Sequence, residues 1–315
     1  MTHHQHLNGI VSNLQFGQRL DRTLTELFPN YSRSQIKNWI LNGLVRINGQ
    51  VKTQPKEKIR GNEHVEIKYF IKETTPYEAQ AIPLRIVYED NDILVINKQN
   101  NLVVHPGAGN TSGTLLNGLL YYFPPILNVP RAGIVHRLDK NTTGLMLIAK
   151  SKLVQERLVK SLKAREITRE YEAVAIGSMT AGGVIEQPIA RHATKRTQMA
   201  VNPTGKSAVT HYHIIETFRN HTHLKLQLQT GRTHQIRVHM AYIHHPLVGD
   251  SLYGRLRTSF KKTSSSVNNV LRNFRRQALH ASMLRFYHPT TFLKIECHAP
   301  LPEDMISLIS ALKTG

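Results

Sequence analysis

The chain is short of cysteine, of acid and of long apolar runs, and each shortage narrows what it can be. Its single cysteine, Cys297, can close no internal disulfide and cannot build a thiolate metal centre. A reducing, cytoplasmic setting is therefore expected. No run of 18 or more apolar residues occurs, so no membrane-spanning helix and no membrane partner are expected. The opening segment, MTHHQHLNGIVSNLQF, lacks the apolar core of a secretory signal. Cofactor signatures are missing as well: there is no GxGxxG, no phosphate-cradling P-loop, no HExxH and no CxxC. The GRTHQIR segment contains no serine, which removes a serine-nucleophile elbow. Acid is the most telling shortage. Against 41 Lys and Arg stand 21 Asp and Glu, for a formal net charge of +20. A chain this basic meets a polyanion, and the spread of its cations along the sequence favours nucleic acid over a membrane surface.

What is present suffices for a core. Hydrophobic residues make up 40% of the 315 positions, enough for one large domain and a small one. In the small one, residues 17–70, Leu20, Leu24, Leu27 and Phe28 recur at helical spacing and Pro29 stops them. Ser32 then opens S-R-S-Q, a helix-start pattern, and Ile36, Trp39 and Ile40 form that helix's apolar face. Asn48-Gly49 marks a tight hairpin turn. Residues 73–83 read as a linker from their prolines and polarity. Beyond them strands alternate with helices: LRIVYED, DILVINK, LMLIAK, YEAVAIG, THYHIIETF, HLKLQLQT, LHASMLRFYH and FLKIECHA read as strands. SKLVQERLVKSLKAR, HQIRVHMAYI and the segment opened by Pro302 read as helices. The expectation is an α+β fold with a mainly antiparallel β-sheet. Residues 255–276 hold seven Lys or Arg and no acid, and read as a mobile basic loop.

Histidine pairs (His211 and His213, His221 and His223, His244-His245) could bind metal, but no carboxylate or thiolate completes a ligand set, so no metal is expected. That leaves ordinary side chains to carry chemistry. Aspartate is scarce. Asp90 and Asp92 lie in a turn signal, and Asp304 lies in the first turn of a helix, where a carboxylate favours the dipole. Asp139 stands apart in IVHRLDKNTTGLMLIAK, among His136, Arg137 and Lys140. Cations keep such a carboxylate available as a nucleophile or base, although a loop ion pair accounts equally well for the local sequence.

Longer patterns decide between these. HRLDKNTTGL resembles the catalytic motif of the RluA family of RNA pseudouridine synthases, H-R-L-D-x-x-T-[ST]-G-[LV]. YEDNDILVINKQNNLVVHPG, REITREYEAV and LQTGRTHQIRVHMAYIHHPLVGDSLYG resemble the other family blocks, in order. GQRLDRTL, SRSQIKNWILNGLVRING and KIRGNEHVEI resemble the S4 RNA-binding domain. Gln99 departs from the pattern, where the family has proline after Asn97-Lys98. The resemblance implies an S4-like domain over 1–76, a linker over 77–83 and a synthase domain over 84–315. It implies Asp139 as the catalytic residue, with Tyr171 packing on the flipped uracil and Arg237 pairing with Asp139. Arg137 would fill the gap left by the flipped base. His136, Arg232, Arg33 and Lys37 would contact RNA. No cofactor is implied, since converting uridine to pseudouridine neither adds atoms nor changes oxidation state. A monomer is expected. Finer similarity in VVHPGAGN, VPRAGIVHRLDK, RRQALHA and HAPLPEDM is to members that act on 23S ribosomal RNA of the large subunit, implying uridines of its helix 69 stem-loop and a part in ribosome biogenesis. Two alternatives stand beside this: a synthase acting on transfer RNA, and a non-catalytic RNA-binding ribosome-assembly protein.

Overall fold

The computed structural model describes residues 2–72, 77–107, 109–254 and 264–314. The chain divides into two compact units, Met1–Pro76 and Tyr77–Gly315.

In the first unit, β1 (Thr2–Ile10) precedes α1 (Leu20–Leu27), α2 (Arg33–Leu41), β2 (Val45–Ile47), β3 (Gln50–Lys52) and β4 (His64–Lys72). The Ser32 hydroxyl caps α2 by accepting from the Gln35 N–H at 3.2 Å, which satisfies one donor that a helix start leaves open. Asn48 and Gly49 both take positive φ, 49° and 79°, and the hairpin β2–β3 turns on them. Leu20, Leu24, Ile36 and Ile40 of the helices pack on Val45, Val65 and Ile67 of the sheet. The sheet order is β1-β4-β2-β3. Strand β1 was not foreseen. Its residues carry little apolar alternation, but it pairs along the whole of β4, from Thr2↔Lys72 to Ile10↔His64, and so covers an edge that would otherwise be open.

The second unit opens with β5 (Ile86–Glu89), β6 (Ile93–Lys98), α3 (Leu115–Tyr122), β7 (Thr143–Ala149), α4 (Lys152–Lys163) and β8 (Thr168–Ile176). Three short strands follow: β9 (Gly183–Glu186), β10 (Ile189–Arg191) and β11 (Met199–Val201). Then come β12 (Val209–Thr217), β13 (His221–Leu228), α5 (Gln235–Tyr242), α6 (Ser265–Asn273), β14 (Leu279–Tyr287), β15 (Lys294–His298) and α7 (Glu303–Thr314). The large sheet runs β5-β6-β7-β14-β8-β13-β12-β9, with β15 also on β14. Its pairs are antiparallel except β7 with β14. Strands β6 and β7 are apolar without alternation because both faces are covered: Leu94, Ile96, Met146 and Ile148 enter one core, and Ile93, Val95, Leu145 and Leu147 enter another, beneath Val154 and Leu158 of α4. Gly144, at φ 112°, lets β7 meet β14; a Cβ there would lie 2.3 Å from the Ala281 carbonyl oxygen.

Two expectations change. Residues 77–83 pack on the body: Tyr77 and Ile82 lie against its core, and Asn117 exchanges hydrogen bonds with the backbone of Glu78 and Gln80. Within the basic stretch 255–276, residues 255–263 lie outside the described residues, while 265–273 form helix α6. Its serines and asparagines masked an i, i+3, i+4, i+7 row, Val267, Val270, Leu271 and Phe274, which packs with Met305 and Leu308 of α7.

Candidate active site

A cleft of about 580 Å³ opens over β8, between the 134–142 loop, the end of α4 and the 229–234 turn that starts α5. Asp139 lies in it, its backbone carbonyl closing a turn with the Thr142 N–H at 3.0 Å. Arg237 of α5 is 4% exposed and donates from Nη1 to Asp139 Oδ2 at 2.8 Å. The other side of the same guanidinium grips Asp250, with Nε to Oδ2 at 2.7 Å and Nη2 to Oδ1 at 2.9 Å. Asp250 Oδ1 accepts in addition from the backbone N–H groups of Leu252 and Tyr253, so its position is fixed from two sides. Burial opposes the Arg237 charge, but Asp250 and then Asp139 outweigh it and hold the guanidinium protonated. The result is a carboxylate presented at the cleft by an anchored cation.

His234, at the start of α5 with φ 57°, places Nε2 3.8 Å from Asp139 Oδ1. Its Nδ1 lies 2.7 Å from the Tyr253 hydroxyl, which accepts from the Met199 N–H at 2.8 Å. The assignment that satisfies all three groups has Tyr253 O–H donating to Nδ1, which leaves the Nε2 hydrogen facing Asp139. Burial lowers the His234 imidazole below its usual value although Asp139 works the other way.

Tyr171 of β8 is buried in the cleft floor, and no hydrogen bond from its hydroxyl is found among the described residues. Burial raises its phenol; Arg169 opposes this and Asp139 adds to it. Arg137 is exposed at the mouth, as are Arg131, Lys163, Arg165 and Arg232. Arg232 is steadied by Nε donating to the Ser207 carbonyl at 3.0 Å. Gln235 holds the same turn, accepting from the Arg232 N–H and the Thr230 hydroxyl and donating to the Val209 carbonyl. His136 is half-buried in the cleft wall. Its Nε2 accepts from the Leu147 N–H at 2.9 Å, and burial, with Arg169 nearby, pushes the imidazole down to about 3, so it is neutral and tied to β7. In the first unit Lys37 and Arg33 are both exposed, and Arg33 also pairs with the buried Asp21 at 2.9 Å.

Several contributors had no distinct sequence signal. Asp250 and Tyr253 lie in the third resembling block, but only the fold brings Asp250 onto the far side of Arg237. Lys98 is 1% exposed, and its Nζ donates to the carbonyls of Gln99, Leu102 and Lys140 at 2.9–3.0 Å. It thereby ties the Gln99 loop, where proline was expected, to the residue after Asp139. Asp304 does more than favour a helix dipole: it takes a bidentate bond from Arg276 at 2.6 and 2.8 Å, and Arg276 Nη1 reaches the Asn141 carbonyl at 3.3 Å.

The RNA pseudouridylate synthase family matches residues 92–242, and the S4 domain matches residues 18–65. Taken with relatives more than 60% identical over nearly the whole chain, this makes the chain a member of the RNA pseudouridylate synthase family, and so an enzyme, with an N-terminal S4 domain. The chain is 62% identical to the ribosomal large subunit pseudouridine synthase D of Salmonella typhimurium over 98% of its own length and 94% of that protein's. It is 61% identical to the protein of that name from Escherichia coli K12, with the same coverage. Among solved structures it is similar to human RNA pseudouridylate synthase domain containing 4, with a TM-score of 0.56 and 25% identity over 73% of this chain and 93% of that one. The non-catalytic reading is thereby set aside.

Proposed function

We propose that this synthase isomerises uridines of 23S ribosomal RNA in the large subunit, those of the helix 69 stem-loop, in the service of ribosome biogenesis. The observation that carries the ribosomal part is the identity of 60–62% over 98% of the chain with proteins named for the large ribosomal subunit. In this reading a uridine leaves its stack and enters the cleft, loop bases being the least costly to extrude. Asp139, oriented by Arg237, attacks C1′ or takes a proton from C2′, and the N1–C1′ bond breaks. Tyr171 packs on the base; its raised phenol stays protonated at neutral pH and relays the C5 proton through its oxygen. Arg137 fills the vacated stack. The exposed cations around the mouth take phosphates, and Arg33 and Lys37 of the S4 domain contribute to docking. The protein works in the cytoplasm, as a monomer, without a cofactor. Among the described residues no helix is long and apolar enough to cross a membrane.

The test is incubation of purified protein with unmodified large subunits, followed by mapping of pseudouridine by carbodiimide treatment and primer extension. New stops within helix 69 are expected. Modification of transfer RNA with helix 69 untouched would reject the ribosomal substrate.

A further inference from the structure

Arg169 is a buried cation that the scheme above does not use. It precedes Tyr171 by two positions in β8, so both side chains rise from the same face of the sheet into the cleft. It is 7% exposed, Nε has no hydrogen-bond partner, and no hydrogen bond or ion pair to its side chain is found among the described residues. The acids beside it in the strand are occupied elsewhere: Glu170 pairs with Lys225 at 2.6 Å and Glu172 with His223 at 2.9 Å. Asp139 and Asp250 are both bonded to Arg237. The space for the guanidinium is kept by Gly231, where a Cβ would lie 2.7 Å from Arg169 Nη1. Its charge is felt by Tyr171 and His136. A buried cation without a counter-charge is unfavourable in the empty cleft, and a fold keeps one where an anion is to arrive.

Two anions are on offer, a backbone phosphate and the base itself. A phosphate is large and strongly hydrated, and five exposed cations already wait for it at the rim: Arg131, Arg137, Lys163, Arg165 and Arg232. Arg169 lies deeper, on the floor beside the tyrosine. We propose that Arg169 is a catalytic residue that receives a carbonyl oxygen of the flipped uracil and stabilises the negative charge the base acquires when it is detached. This rests on the pseudouridine reading of the cleft. When N1–C1′ breaks, its electron pair stays on the base, which becomes a uracil anion with charge shared between N1 and the carbonyl oxygens. C1′ is meanwhile bonded to a carboxylate oxygen of Asp139, or sits in a glycal after losing the C2′ proton to that carboxylate. The base then turns, C5 bonds to C1′, the carboxylate bond breaks or the C2′ proton returns, C5 loses its proton and N1 gains one. Both routes pass through the same anion, and Arg169 holds it without exchanging a proton, as preorganised donors do where charge develops. The same grip keeps the detached base in the cleft while it turns.

The test uses full-length protein with Arg169→Ala and Arg169→Met. Wild-type protein first identifies which transcript it modifies, 23S or transfer RNA, so that a wrong ribosomal assignment shows itself before any variant is assayed. On that RNA the single-turnover rate of both variants is expected to fall about 10²–10³-fold, the magnitude of losing one oxyanion donor, with RNA affinity within threefold of wild type. Guanidinium ion at millimolar concentration restores part of the rate to Arg169→Ala. The thermal midpoint of Arg169→Met rises, because the unpaired charge is gone. A lower midpoint for Arg169→Met would make the residue a structural cation and overturn the proposal. Weakened RNA binding with an unchanged single-turnover rate would make it a phosphate contact, and a rate within threefold of wild type would leave it no part in the chemistry.

Discussion

At the scale of single residues, the site is one guanidinium shared by two carboxylates, and the two carboxylates answer differently to mutation. Asp139→Asn keeps shape and a hydrogen-bond acceptor but removes the charge; it should reduce pseudouridine formation by at least ~10²-fold while leaving RNA affinity within a small factor, as measured by tritium release and filter binding. Asp250→Ala should cost stability as well. It leaves Arg237 buried with Asp139 as its one carboxylate partner and frees the Leu252 and Tyr253 N–H groups, a loss of about 3 kcal/mol by the behaviour of broken buried pairs, to be read from a urea melt. A melt unchanged from wild type would show that the Arg237 position does not depend on Asp250. The contrast also marks what the sequence discloses at this scale. Asp139 stands out because its neighbours in the chain form a recognisable pattern. Asp250 works from the opposite side of Arg237, through a contact made only when α5 and the turn after it fold together, and the chain carries no local mark of that.

Secondary-structure elements were legible where periodicity and packing agree. The alternation in HLKLQLQT became β13, and the Ser32 cap and Asn48-Gly49 turn formed where their chemistry requires. They were missed where composition obscured a pattern, as in α6, or where no pattern exists and a neighbour supplies the order, as in β1, which takes its extended form from β4. Helix α6 gives a sharp check. Val267 is buried against α7, so Val267→Ala should cost about 2 kcal/mol, from lost apolar burial plus the cavity left behind. A change below about 0.5 kcal/mol, the range of surface positions, would mean that the helix is not docked in solution. The S4 unit offers another. Deleting residues 1–76 should weaken RNA binding, and reduce the slope of log K against log salt, more than it slows the bound reaction, because in the proposed reading the cations lost with it number among the phosphate contacts. Equal affinity at matched salt would remove the unit from the docking surface.

For the molecule as a whole, the buried imidazoles set an acid limit. His136 is pushed down to about 3 and His221 to about 4 by burial, and His105, His234, His239 and His280 are lowered for the same reason. Between those values and the ordinary 6.5, the unfolded chain binds protons that the folded chain refuses. Stability is therefore complete above pH 6.5 and falls as pH drops through that window. For His221 the loss at pH 5 is about 2 kcal/mol. The lowered carboxyls of Asp90 and Asp304 act in the same direction at still lower pH. Circular-dichroism melts from pH 7.5 to pH 5 should show a falling midpoint, and a flat profile would contradict the neutral assignment. The order of strands in the large sheet has another consequence, in time. The flank β5-β6-β7 and the flank β8-β13-β12-β9 are joined by β14, which is made after every strand of both flanks. Arg276 and Asp304, which brace the Asn141 carbonyl two residues from Asp139, come equally late. During synthesis the two halves can form separately, but they cannot close around the cleft until β14 has left the exit tunnel. A nascent chain whose β14 is still inside the tunnel is thus kept inactive by topology.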